Sequence, residues 1–259
     1  MLGGQRMELS ETGTPAINGV PLDRMMLALT DSGIEIGQSE LELETQAIPG
    51  RDGVVDTSLT GPEGAAYTDN RDITLHLYTC GDEDDIMVAK TRLGALHGTI
   101  VTVGWRMLPG VYRGRLSVGQ WDDLWSARGL CAATVDVTVS ASPCLLGRVH
   151  TVQLNRGSQS IRVDGNRPAW PIWTLKAEPG CRSMTVASGG SVITVNTGDL
   201  ASSGQAVIVT DPVGRKVTMG GVRHPVTLDS DFFPLSPGLT RIALWGCAGS
   251  MAYRPRTII

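Results

Sequence analysis

The chain has 259 residues, with 22 Lys and Arg against 26 Asp and Glu, for a net charge of −4. A hydrophobic share of 41% and a charged share of 19% exclude a disordered chain and leave room for one large domain or two modest ones. No run of Lys or Arg occurs, which argues against a nucleic-acid partner, whose phosphates require a basic patch.

The apolar residues are of a particular kind. Only 2 Phe and 4 Tyr occur, while Val, Ile, Leu and Thr recur in short runs broken by 32 Gly and 14 Pro. That is the composition of sheets joined by turns. The opening Met1-Leu2-Gly3-Gly4-Gln5-Arg6-Met7-Glu8 lacks the apolar core of a secretory signal, and no apolar run approaches a membrane span. Folding in a cytoplasm without membrane insertion is expected. Cys80, Cys131, Cys144, Cys181 and Cys247 are odd in number and contain no C-x-x-C, so buried free thiols are expected in place of a zinc or redox site.

In chain order, residues 17–60 read as a run of strands. The clearest is 39–48, where Leu41, Leu43, Thr45 and Ala47 alternate with polar residues. This period predicts a core-facing side and an opposite side carrying Glu40, Glu42 and Glu44, ended by the turn Pro49-Gly50. A second alternating strand is expected at 71–78, with Ile73, Leu75 and Leu77 inward and His76 outward. One helix is expected at 86–97, where Ile86, Ala89, Leu93 and Leu96 keep helical spacing. Asp82 is its expected N-cap, Glu83, Asp84 and Asp85 complement the helix dipole, and Gly98 is placed to stop it. Strands are expected again at 99–105, 111–118 and 133–141, and Ser142-Pro143 then breaks the pattern.

The rhythm changes after that break. Strand-like runs at 149–154, 160–163, 171–177, 183–187, 192–195, 206–209, 216–219, 226–228 and 240–244 alternate with short turns and enclose no helix. This predicts a β-sandwich, with Gly220-Gly221 as a hairpin turn. The chain is therefore read as mainly β, with a first domain at 1–143 and a second at 144–259, whose last strand is allowed to pack back on the first.

Candidate chemistry is sparse. Asp82 to Asp85 lack the alternating ligands of a calcium loop. His76, His97, His150 and His224 form no ligand spacing, and Gly50-Arg51-Asp52-Gly53 lacks the helix of a phosphate cradle and reads as a turn. No G-x-S-x-G elbow occurs, although a triad can assemble from distant residues. Trp105, Trp121, Trp125, Trp170, Trp173 and Trp245 read as core or interface residues before sugar platforms. Neither cofactor nor metal is expected, and the chain is read as a non-enzyme.

Several phrases occur in a telling order. Ile48-Pro49-Gly50-Arg51-Asp52-Gly53 is followed by Asn70-Arg71-Asp72-Ile73-Thr74-Leu75 and the acid-started helix. Tyr112-Arg113-Gly114-Arg115-Leu116 and Ser140-Ala141-Ser142-Pro143 come next. Asp229-Ser230-Asp231-Phe232-Phe233-Pro234 and Tyr253-Arg254-Pro255-Arg256 stand near the end. The series resembles the distal tail proteins of siphophages, often called Dit, over nearly the whole chain.

That resemblance implies an amino-terminal β domain with one helix, similar to the tail-tube fold, followed by a galectin-like β-sandwich. It implies a homohexameric ring that joins the tail tube protein to the tail-tip protein, in contact with a receptor-binding protein. DNA would pass through the lumen without specific binding. The location implied is the tip of a virion tail, assembled in the bacterial host cytoplasm. Gly50, Arg51, Asp52, Gly53, Arg71, Tyr253, Arg254 and Arg256 are the expected interface residues, and Glu40, Glu42 and Glu44 are candidates for a channel lining. The galectin His-x-Asn-x-Arg signature is not met by His150-Thr151-Val152-Gln153-Leu154-Asn155-Arg156, so little glycan binding by the second domain is expected. The rival readings are a carbohydrate-binding adhesion module of a tail or cell surface and, behind it, an unrecognised hydrolase.

Overall fold

The computed structural model describes residues 14–61, 64–127, 129–197 and 205–259. The amino-terminal Met1 to Glu8 read above lie outside them. The chain is mainly β and divides into two compact units, Met1–Leu145 and Leu146–Ile259.

The first unit is built on a seven-stranded sheet. Its strands are β1 (Ala16–Ile17), β2 (Val20–Pro21), β3 (Ala28–Ile36), β6 (Arg71–Cys80), β7 (Ile100–Gly104), β8 (Tyr112–Ser126) and β9 (Gly129–Ala141). Two further short strands, β4 (Thr45–Ala47) and β5 (Val54–Asp56), form a hairpin of their own outside the sheet. The sheet order is β2-β1-β7-β8-β9-β6-β3.

The predicted alternation at 71–78 holds. Ile73, Leu75 and Leu77 are buried opposite Val139, Val137 and Val135 of β9, and these stacked rows are the core of the unit. His76 falls on the outward side, with Nδ1 2.6 Å from the Asp136 carboxylate.

The helix α1 (Glu83–Gly94) closes the core by burying Ile86, Ala89 and Leu93. Asp82 caps it as expected: its carboxylate accepts the Asp85 N–H at 2.9 Å. The helix starts and ends about one turn before the predicted span. Its last turn tightens, with Leu96 N–H donating to Leu93 and His97 N–H to Gly94, before Gly98 turns the chain at φ 75°.

The strand expected at 39–48 is a correction. Only Thr45–Ala47 pairs, with Val54–Asp56, and Leu41 makes a single bridge to Thr68. Leu41 is 55% and Leu43 59% exposed. The alternation is real, but among the described residues Leu41 and Leu43 join no core cluster, so this apolar side faces solvent. The predicted turn at its tip does form, with Gly50 at φ 82° and Gly53 at φ 80°.

The second unit is a sandwich of two antiparallel sheets. After β10 (Leu145–Leu146) at the junction come β11 (His150–Leu154), β12 (Gly157–Val163), β13 (Ile172–Ala177), β14 (Ser183–Ser188) and β15 (Ser191–Asn196). Then follow β16 (Gln205–Val209), β17 (Lys216–Met219), β18 (Val222–Arg223), β19 (Gly238–Trp245), β20 (Cys247–Tyr253) and β21 (Arg256–Thr257). One sheet runs β11-β20-β13-β16-β17-β18 and the other β12-β19-β14-β15. Both contribute to one core around Trp173, Leu175, Val186, Ile193, Ile208, Leu244 and Met251.

One expected strand fails here. Residues 226–228 are not a strand: Thr227 N–H caps the edge of β15 at Thr194 O, and Leu228 lies in solvent. The strand after the Gly220-Gly221 hairpin is only Val222–Arg223. Conversely, β20 escaped the sequence reading, yet it lies inside its sheet, paired on both sides with β11 and β13. Its residues CAGSMAY lack β-branched side chains, so local propensity does not announce it.

Candidate assembly surfaces

The segment after β3 forms an arm. Gly37 N–H is held by Asp72 O, Glu42 N–H by Tyr67 O and Asp69 N–H by Glu40 O, so the two limbs of the arm run back on each other. Ser58 ties the base of the β4–β5 hairpin, accepting the Glu44 N–H at 2.8 Å. Ser58 also donates its N–H to the Asp56 carboxylate, and its hydrogen bonding holds that carboxyl below the usual range.

The arm has two chemistries. Leu41, Leu43, Val54, Leu59 and Tyr67 are all more than half exposed. Glu40, Glu42 and Glu44 alternate with the first two leucines. These exposed apolar side chains concentrate on one segment of the first unit. Where the arm meets the sheet, a polar cleft of about 420 Å³ is lined by Glu42, Thr68, Asp69, Asn70, Asp72 and Ser140. Among the described residues no group of His, Cys, Asp and Glu has the arrangement of a metal site.

A second exposed apolar point is the tip of the β8–β9 hairpin, where Leu124 and Trp125 are each 61% exposed. Behind the tip, Trp121 packs on Ile86, Leu130 and Ala133, and the Lys90 ammonium lies 5.3 Å from its ring centre while pairing with Asp123 at 2.5 Å. The hairpin is therefore anchored behind the exposed Leu124 and Trp125.

The residues expected at interfaces fall in three settings. Gly50, Arg51, Asp52 and Gly53 form the exposed tip of the arm, where Arg51 N–H closes the turn on Ile48 O. Arg71 is buried: Nε donates to Ser39 Oγ at 2.9 Å, Nη1 to Tyr112 Oη at 3.1 Å, and the guanidinium lies 5.6 Å from the Tyr112 ring centre. Tyr253 is also buried, donating to Arg162 O and accepting from Asp164 N–H, and burial pushes its hydroxyl pKa up. Arg254 is exposed and donates to Gly147 O at 3.4 Å. Arg256 is half-buried and donates to Pro168 O, while its backbone carbonyl accepts the N–H groups of Asn166 and Arg167.

The tryptophans and cysteines separate in the same way. Trp173 is wholly buried, but Trp125 and Trp245 stand in solvent. All five cysteines are free, and only Cys144 and Cys247 are buried; Cys80 is exposed at the end of β6, because its position in the register points outward. Burial pushes the Cys247 thiol up to about 11. Sequence reading missed Leu59, Tyr67 and Leu124 as surface residues. The one available signal was their place in Gly- and Asp-rich surroundings.

Residues 164–256 match the family described as siphovirus-type tail component, C-terminal domain. No curated protein matches the chain by sequence. Among solved structures, the fold resembles the Dit protein (gp 19.1) of phage SPP1, described as a paradigm of the hub adsorption apparatus in phages that infect Gram-positive bacteria. The TM-score is 0.70 at 17% identity, over 94% of this chain and 98% of that one. The baseplate of phage P2 in its activated conformation with Ca also matches, with a TM-score of 0.41 at 9% identity over 88% of this chain and 92% of that one, too distant to carry an argument.

Proposed function

We propose that this chain, which carries the C-terminal domain of siphovirus-type tail components and the fold of the Dit proteins along nearly its whole length, is a structural hub at the distal end of a phage tail. The observation that carries the reading is the likeness to the SPP1 hub protein, which spans both units in one chain order. The role is architectural and needs no cofactor. In this reading six copies close into a ring between the tail tube protein and the tail-tip protein, with the receptor-binding apparatus attached around it and DNA crossing its lumen.

The physical support lies in the first unit. A ring of identical subunits needs a head-to-tail contact in which one surface meets a different surface of the next copy. The arm supplies a projecting element with exposed leucines. The seven-stranded sheet ends in edge strands β2 and β3, which have hydrogen-bonding groups to offer a neighbour. A monomer carrying so much exposed apolar surface on one arm would be prone to nonspecific association, and a specific partner surface removes that hazard.

Light scattering on the purified protein over a concentration series tests the reading. A hexamer, or a monomer–hexamer equilibrium, is expected. A strict monomer at high concentration that also fails to add to tail tube or tail-tip protein overturns it.

A further inference from the structure

We infer that the outward face of the β12-β19-β14-β15 sheet is a binding site for an acidic polysaccharide, which lies along β19. None of these four strands contains an Asp or Glu, in a chain whose acids outnumber its bases. The strand register puts Leu239, Arg241, Ala243 and Trp245 of β19 on the face opposite the core residues Ile242 and Leu244. Trp245 is 52% exposed, so its indole is available as a flat apolar platform.

The neighbours of these side chains are small. Ala243 is flanked by Ser158 of β12 on one side and Ala187 of β14 on the other, so the floor beside the indole carries only small side chains. Thr185 stands directly across from Trp245, with its hydroxyl 3.1 Å from that of Thr194. Four residues before Trp245 on the same strand, Arg241 is oriented by donating Nε to Ser158 Oγ at 2.5 Å. Among the described residues no carboxylate stands within ion-pair distance of Arg241. Arg162 lies across from Leu239, 4.0 Å from Asp164. The nearby Glu178 is paired with Arg156 at the rim.

Each part of this face selects the same chemistry. A sugar ring offers an apolar C–H face to an indole and hydroxyls to threonine and serine. An oriented guanidinium with no acidic partner takes a carboxylate or phosphate in two hydrogen bonds. Trp245 and Arg241 are four residues apart on one strand, about 13 Å, which is room for a short oligosaccharide bearing an acidic group. An acidic protein segment would find the cations, but would have little use for an alanine and serine floor beside an exposed ring. The galectin-type signature is irrelevant here, because the face is assembled from strands far apart in sequence. The inference does not rest on the hub reading.

The test is binding of the full chain to immobilised phosphomannan and polygalacturonate, with neutral mannan as the reference, by biolayer interferometry at low and physiological salt. At least tenfold preference for one of the acidic polymers over mannan is expected, and which of the two binds separates phosphate from carboxylate recognition. Trp245→Ala and Arg241→Gln should each reduce binding at least tenfold while leaving the light-scattering mass and the circular dichroism spectrum unchanged. No binding to either acidic polymer overturns the inference, as does equal binding to mannan or unaltered binding by both variants. A changed mass in the Trp245 variant, with glycan binding intact, would assign the face to a protein contact instead. Because mass and glycan binding are read separately, failure of the hub and failure of this site are distinguishable.

Discussion

Single residues carry two kinds of information in this protein. Asp82 is read from its neighbours alone: a carboxylate before an acidic first turn and an apolar helical stripe. The structure puts its oxygen on the Asp85 N–H. Replacing Asp82 with Ala removes that acceptor and a charge that complements the helix dipole. A loss of about 1 kcal/mol of stability is expected, measured by urea unfolding with Asp82→Asn as the conservative comparison. Arg71 is the contrary case. A reader of the sequence sees an arginine opening a strand and assigns it to the surface. Its partners Ser39 and Tyr112 lie 32 and 41 residues away, so the burial of its guanidinium is invisible until the chain is folded.

At the scale of elements, the glycines of long strands decide how closely chains approach. In β20, Gly249 pairs with Leu154 on one side and Leu175 on the other. A Cβ there would run into the Thr174 carbonyl oxygen and the Leu175 Cα. Gly249→Ala should therefore force the central strands of this sheet apart, with a loss of about 1–3 kcal/mol. Gly214→Ala, where a Cβ meets nothing within 4 Å, should be close to neutral. Chemical denaturation of the two variants side by side checks this, and equal stability would refute the close approach. The same glycine explains why β20 was not legible: a residue that suits a central strand only because of its neighbours looks locally like a turn signal.

At the scale of the whole molecule, the arm is tied to the sheet at its base, through Gly37 and Asp72, while its leucines stand exposed. If its exposed leucines pack on a neighbouring copy, then Leu43→Asp combined with Leu59→Asp buries two charges without partners in the assembly, while costing the monomer little. The expected outcome is a shift of the light-scattering mass toward the monomer by at least tenfold in concentration, with an unchanged circular dichroism spectrum. An unaltered mass–concentration curve would move the ring contact elsewhere, to the sheet edges or the Leu124-Trp125 tip.

What the sequence determined by itself is whatever neighbouring residues settle between them. The helix and its cap, the alternation at 71–78, the turns at Gly50 and Gly220-Gly221, and the sheet-rich class with its change of rhythm after Ser142-Pro143 all belong here. Capping, turn geometry and side-chain alternation act within a few residues, so the chain displays them locally. Only the tertiary structure decided which alternating strand has a core to face. Leu41 and Leu43 alternate as regularly as Ile73, Leu75 and Leu77, yet the first pair is exposed and the second set is wholly buried. Burial depends on whether a second layer arrives from elsewhere in the chain, and no local pattern encodes that arrival.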